Sequence, residues 1–153
     1  MHLYPDFVDL LAAFEGEAVR YLIVGGYAVA FHSRPRFTKD IDLWLEPGPD
    51  NGARVLRALE AFGAPRAARE ALEAASADDI VWMGTPPVRV DMLLSLPGVP
   101  DFAEAWGRRV DTEWSGVRAR LLGRADLLRA KLASTRPQDI LDAAGLGEGP
   151  SGD

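Results

Sequence analysis

The tightest constraint on this chain is the segment 40–46, Asp-Ile-Asp-Leu-Trp-Leu-Glu, in which two carboxylates alternate with apolar residues. Strict alternation is the period of a β-strand, so Ile41, Leu43 and Leu45 share one side and Asp40, Asp42 and Trp44 the other. Two carboxylates side by side repel one another unless a cation lies between them. The same period recurs at 88–93, where Val88, Val90 and Met92 face one way and Arg89 and Asp91 the other. Pairing the two strands brings Asp91 up to Asp40 and Asp42. Three convergent carboxylates form a hard, oxygen-rich site suited to Mg²⁺, with two ions expected and Mn²⁺ as a substitute. A solitary Asp-x-Asp at a strand start is usually a solvated edge or a turn. The third aspartate, inside an apolar strand, argues against that here, because an unpartnered buried carboxylate is costly.

Composition narrows the chemistry further. The 153 residues include no cysteine and only two histidines, His2 and His32, so disulfides, thiolate nucleophiles and cysteine- or histidine-rich metal sites are excluded. Any bound metal has oxygen ligands. The net charge of −6 argues against a general nucleic-acid coat protein, whose affinity comes from neutralising phosphates, although a local basic cleft remains compatible with it. The cations are nearly all arginine, with Lys39 and Lys131 the only lysines. No apolar run reaches the ~18 residues of a membrane span, and no signal-like leader opens the sequence. These features predict a cytoplasmic protein that makes no membrane contact. The length predicts a single domain over 1–146, followed by a disordered tail at 147–153.

Along the chain, Phe7, Leu10, Leu11 and Phe14 have helical spacing behind Asp6, the expected N-cap. Residues 20–24 form a short buried strand ending at Gly25-Gly26, and 27–33 form a short helix broken before Pro35. Residues 51–63 make an amphipathic helix closed by Gly63. A connection of no assigned structure (64–79) leads to strands at 79–84 and 88–96, joined by a turn at 84–87. Then come a helix at 101–110, a hairpin around Ser115-Gly116, a helix at 124–134, and a last helical segment with Pro137 in its first turn. This order predicts an α/β (α+β) domain with a mixed central sheet flanked by helices. Gly25-Gly26 is either a plain strand-to-helix turn or a place where backbone N–H groups approach a phosphate.

Two glycines after an apolar run, thirteen intervening residues and Asp40-Ile41-Asp42-Leu43 resemble the G-[GS]…D-x-[DE] signature of the polymerase-β-like nucleotidyltransferase superfamily. Asp91 matches its third carboxylate. The segments at 36–45, 84–99, 102–110 and 127–146 make the chain most similar to small bacterial single-domain nucleotidyltransferases, including relatives of toxin–antitoxin and abortive-infection proteins. The resemblance covers residues 20–146 and implies the nucleotidyltransferase fold. It further implies that Asp40, Asp42 and Asp91 are catalytic and hold two Mg²⁺ ions bridging a nucleoside triphosphate. Asp91 would assist the attacking hydroxyl, and Gly25 and Gly26 would meet the triphosphate. Lys131 aligns with a lysine that reaches the triphosphate; the alternative is a side chain snorkelling to solvent.

Other basic residues are assigned by parity. Arg36 and Thr38 share the parity of Asp40 and Asp42, so an extended segment lines them up as nucleotide ligands, whereas Lys39 points away. Arg89 is either the ion-pair partner of Asp91 or a substrate ligand. Arg136, Asp139 and Asp142 are expected to form a salt-bridge cluster tying the C-terminus to the sheet, and His32 is expected at a helix end with no catalytic part.

Departures from the family pattern are Gly26, where many relatives have serine, and Gln138, where a basic residue is expected. No second domain follows to hold a large acceptor, so the acceptor is small, or a partner protein or homodimer supplies the other wall. The implied reaction moves a nucleoside monophosphate from an NTP (ATP among them) to a hydroxyl of a tRNA 3′ end, a partner protein or a small molecule. The alternatives are a non-catalytic, antitoxin-like binding module that keeps the fold, and a calcium-binding or purely structural acidic cluster that leaves the glycine pair unexplained.

Overall fold

The computed structural model describes residues 2–33, 40–85, 88–134 and 136–147. In chain order the elements are α1 (Pro5–Gly16), β1 (Tyr21–Val24), α2 (Gly25–His32), β2 (Asp40–Leu45), α3 (Pro49–Phe62), α4 (Arg66–Ala74), β3 (Ile80–Thr85) and β4 (Val88–Leu93). These are followed by α5 (Phe102–Gly107), β5 (Val110–Trp114), β6 (Val117–Leu121), α6 (Arg124–Leu132) and α7 (Pro137–Gly147). One six-stranded mixed sheet runs β3-β4-β2-β1-β6-β5. β2 is central, antiparallel to β1 and parallel to β4. The mixed sheet flanked by helices is the architecture the alternating pattern predicts.

Period-two alternation sorts the sheet into two faces. Ile41, Leu43 and Leu45 of β2, Val90 and Met92 of β4, and Val81 and Met83 of β3 are all buried. They pack with Phe7, Leu10, Leu11 and Phe14 of α1, Val55 and Leu59 of α3, and Leu72 of α4 in one core. Phe14 meets Tyr21 edge-on at 5.4 Å. The opposite face carries Asp40, Asp42 and Trp44 beside Arg89, Asp91 and Leu93, as the strand register requires. There Trp44 packs edge-on against Phe102 of α5, with ring centroids 4.9 Å apart.

Local signals explain most of the boundaries. Gly63 ends α3 in the left-handed conformation (φ 91°), where a glycine carries no Cβ penalty. Ser115 and Gly116 both have positive φ (51° and 83°), as a tight two-residue hairpin turn requires. Three details differ from expectation. Tyr4, not Asp6, precedes α1 as its N-cap without a side-chain cap bond, and Asp6 sits in the first turn. Pro5 opens that helix because its fixed φ and missing N–H suit a first-turn position. The connection at 64–79 contains α4, whose Ala68 and Leu72 are buried while Arg66, Glu70 and Glu73 stay out and Arg69 is half-buried. Helix α5 stops at Gly107, short of the predicted end. The predicted tail lies outside the described residues from 148 onward. Among the described residues no helix is long and apolar enough to cross a membrane.

Asn51 holds the sheet's entry and exit together. It is buried in the first turn of α3, where its side-chain oxygen accepts from Arg20 N (2.8 Å). Its amide nitrogen donates to the carbonyls of Arg20 (3.0 Å) and Glu46 (2.9 Å). A single side chain thus locks the start of β1 to the end of β2.

Candidate active site

Parallel pairing of β2 and β4 sets Asp42 directly opposite Asp91, and Asp40 opposite Arg89. The carboxylates of Asp42 and Asp91 are therefore neighbours on the sheet surface, one on each of the adjacent strands β2 and β4. Burial pushes the Asp42 carboxyl up to about 7, helped by the adjacent charge of Asp91, a hydrogen bond between the two side chains, and the charge of Asp40. Lys131 pulls in the opposite direction. Both burial and the neighbouring carboxylates thus favour the protonated form of Asp42. Among the described residues no three acidic or histidine side chains are gathered tightly enough to make a ready-formed metal cage. Two carboxylates are in contact, and Asp40, one pleat along, acts on them through its charge.

The glycine pair meets these carboxylates directly. Val24, the last residue of β1, pairs with Asp42, and the chain then turns at Gly25 into α2. Gly25 has φ +66°, and a Cβ built there would lie 2.0 Å from Asp42 Oδ2. Glycine is required at this position both by the backbone conformation and by the carboxylate. The first turn of α2 has no side-chain cap, so its N–H groups are available at the edge of the acidic pair.

A cavity of about 500 Å³ opens over this surface. Gly25, Asp42 and Asp91 lie on one side of it, and Lys131, Ser134 and Asp139 of the α6–α7 region on the other. Asp40 and Gly26 are outside its lining. Lys131 does not snorkel. Its side chain is 12% exposed and its Nζ lies 2.8 Å from Asp139 Oδ1 and 3.5 Å from Asp142 Oδ2. Ser134 donates to the other Asp139 oxygen (2.6 Å), and Arg136 approaches it at 3.7 Å. The expected acidic cluster exists, but it ties α6 to α7 through Lys131 instead of tying the C-terminus to the sheet. Gln138 donates to Asp142 Oδ1 (2.9 Å) and so completes this network in place of a basic residue.

Arg89 donates from Nε to Asp91 Oδ1 at 2.9 Å, and its guanidinium lies 4.8 Å from the centre of the Trp82 ring. Of the two roles open from sequence, ion-pair partner of Asp91 is the one observed. His32 sits in the last turn of α2 with Nε2 2.8 Å from the Leu122 carbonyl, a structural contact. Arg36, Thr38 and Lys39 lie outside the described residues. Sequence reasoning missed the Asp42–Gly25 packing and the Trp82–Arg89 stack. The first was signalled by the glycine pair; the second had no local signal, because Trp82 reaches the face of Arg89 and Asp91 only through the antiparallel register of β3 on β4.

As for a metal, the donors on offer are all carboxylate oxygens, the type that Mg²⁺ and Mn²⁺ prefer. Two half-buried carboxylates set against each other are the electrostatic arrangement that a divalent cation relieves. The residues present therefore fit such an ion.

A mixed sheet with an acidic pair on two adjacent parallel strands and a glycine turn packed against it defines a nucleotidyltransferase fold. The chain belongs to the family described as "Nucleotidyltransferase of unknown function (DUF6036)", whose model matches residues 8–145. Solved structures show the same fold at low identity. The lincosamide antibiotic adenylyltransferase LnuA, solved bound to lincomycin, is 16% identical with a TM-score of 0.60, over 95% of this chain and 97% of that one. ANT(2″)-Ia in complex with adenylyl-2″-tobramycin is 15% identical with a TM-score of 0.57, over 92% and 84%. An antigenic nucleotidyltransferase-like protein from Paracoccidioides brasiliensis is 17% identical with a TM-score of 0.54, over 92% and 73%. No curated protein matches the sequence.

Proposed function

We propose that this transferase moves a nucleoside monophosphate from an NTP to the hydroxyl of a small-molecule acceptor, with Mg²⁺ held by Asp42 and Asp91 and supported by the charge of Asp40. The observation that carries this reading is the half-buried Asp42–Asp91 pair against Gly25 at the floor of the 500 Å³ cavity. When bound, the cation supplies charge neutralisation for the triphosphate and lowers the cost of its approach to an acidic floor. Asp42 and Asp91 hold that charge in place. The uncapped first turn of α2 offers backbone N–H groups to phosphate oxygens. Lys131, nearly buried on the opposite wall, adds fixed positive potential beside the phosphates while Asp139 and Asp142 anchor it. The acceptor oxygen attacks the α-phosphorus, the bond to the β-phosphate oxygen breaks, and pyrophosphate leaves. The acceptor's proton passes to the Asp91 carboxylate. Fixed charges aimed at the transferring group lower the barrier without reorganising during the reaction.

A small acceptor is favoured by the net charge of −6, by the modest cavity, and by the small-molecule complexes of the two antibiotic-modifying neighbours. The transfer is tested with α-labelled NTPs and separate pools of hydroxyl-bearing antibiotics, tRNA and host proteins. Label on a small molecule supports the proposal. Label on a tRNA end or a protein redirects the acceptor toward toxin–antitoxin chemistry. Absence of transfer, together with absence of nucleotide binding, leaves the antitoxin-like binding module.

A further inference from the structure

Arg89 stands where a metal would have to work. Its Nε hydrogen bond at 2.9 Å uses Oδ1 of Asp91, one of the two oxygens that the carboxylate can offer a cation. Its positive charge offsets part of the negative charge gathered at Asp40, Asp42 and Asp91. The side chain is not trapped, being 36% exposed while Asp91 is 17% exposed. It rests on a surface of its own: Trp82, 57% exposed on edge strand β3, lies across from Asp91 in the register and presents its ring 4.8 Å from the guanidinium. Planar guanidinium on indole is a favourable resting geometry even in partial contact with water. Arg89 is thus held by two attractions, one to the carboxylate and one to the ring, and only the first is incompatible with a cation on Oδ1.

We propose that Arg89 is an internal counter-cation that competes with the divalent ion for Asp91 and gives way when metal and nucleotide bind, with Trp82 as the ring it rests on. This rests on the cation-dependent transfer proposed above. Arg89 is a positioning residue in this scheme. It keeps the acidic surface intact without metal, weakens binding of free cation, and so makes loading depend on the extra charge of the incoming NTP. Released from Asp91, its fork of donors is free to meet a phosphate.

The test is Mn²⁺ binding, followed by electron paramagnetic resonance of free Mn²⁺ and by tryptophan emission, in wild type, Arg89→Gln, Arg89→Lys and Trp82→Phe proteins. Each is measured with and without a non-hydrolysable NTP. A charge-assisted hydrogen bond of ordinary strength corresponds to roughly tenfold in affinity, so Arg89→Gln should bind Mn²⁺ about tenfold more tightly than wild type without nucleotide. Arg89→Lys, which keeps the charge, should fall between the two. Wild-type emission should change as Mn²⁺ binds, and that change should vanish in Trp82→Phe and shrink in Arg89→Gln. Equal or weaker Mn²⁺ affinity in Arg89→Gln, in a protein that does bind the ion, overturns the competition and leaves the transferase reading standing. Absence of Mn²⁺ binding in every protein, with or without nucleotide, overturns both.

Discussion

The contact between Gly25 and Asp42 makes Gly25→Ala the most informative single substitution. The residue has φ +66°, and placing a non-glycine residue there costs about 1–2 kcal/mol from Cβ crowding. The new methyl carbon would also sit 2.0 Å from Asp42 Oδ2 and 2.9 Å from its Cγ. The obstacle is a side-chain end, so the carboxylate yields before the backbone does, at about 0.5–1.5 kcal/mol for a displaced rotamer. Together these predict a loss of about 2–3 kcal/mol, or a Tm lower by roughly 5–10 °C for a domain of this size. The assay is urea unfolding by circular dichroism in EDTA, repeated in an Asp42→Ala background. There Gly25→Ala should cost only its backbone share, leaving a coupling of about 1 kcal/mol between the two sites. Displacing Asp42 from Asp91 should also abolish nucleotidyl transfer in Gly25→Ala, even at temperatures where it is fully folded. An identical cost in both backgrounds, or a cost below about 0.5 kcal/mol in the wild type, would refute the claim that Gly25 exists to accommodate the carboxylate.

Further outcomes follow from the same geometry. In EDTA, the raised Asp42 carboxyl means that the folded protein binds a proton more tightly than the unfolded chain between about pH 4 and pH 7. Stability should therefore fall as pH rises through that window. Asp42→Asn should flatten the profile, and saturating Mg²⁺ should restore stability at the upper end, both readable by thermal melts. Asp139 behaves oppositely: despite desolvation, its bonds to Lys131 and Ser134 hold its carboxyl below the usual range, so its contribution is lost only on acidification below the ordinary carboxylate range. Lys131→Met leaves the nearly buried Asp139 and Asp142 without their shared cation and should cost about 3 kcal/mol in denaturant unfolding at neutral pH. Asn51→Ala removes three hydrogen bonds that no water can easily replace and should also cost about 3 kcal/mol, with no change in metal affinity.

The acidic face was legible from sequence because strand alternation is a hard geometric rule. Once 40–45 and 88–93 are strands, the sharing of one face by Asp42 and Asp91 depends only on their pairing. The hairpin at Ser115-Gly116 and the end of α3 at Gly63 were legible for a similar reason, since few residues tolerate positive φ. Helix α4 was missed because its buried stripe is reduced to Ala68 and Leu72, with exposed alanines, arginine and glutamate elsewhere. The family resemblance singled out Lys131, but its ion-pair network was not legible, because its partners come from α7 across a turn and no local period connects them. The clamp formed by Asn51 was invisible for the same reason: its partners, Arg20 and Glu46, become adjacent only after the sheet has formed.

The central claim is that nucleotide enters this site through a cation held by the Asp42–Asp91 pair. Calorimetric titration of non-hydrolysable analogues of the four NTPs into wild type and into the Asp42→Asn/Asp91→Asn double variant, each in Mg²⁺ and in EDTA, tests it directly. At least one analogue should bind the wild type in Mg²⁺, with no binding in EDTA and none to the folded double variant in either buffer. Equal binding in EDTA, undiminished binding by the double variant, or no binding of any analogue to the wild type in Mg²⁺ would contradict it.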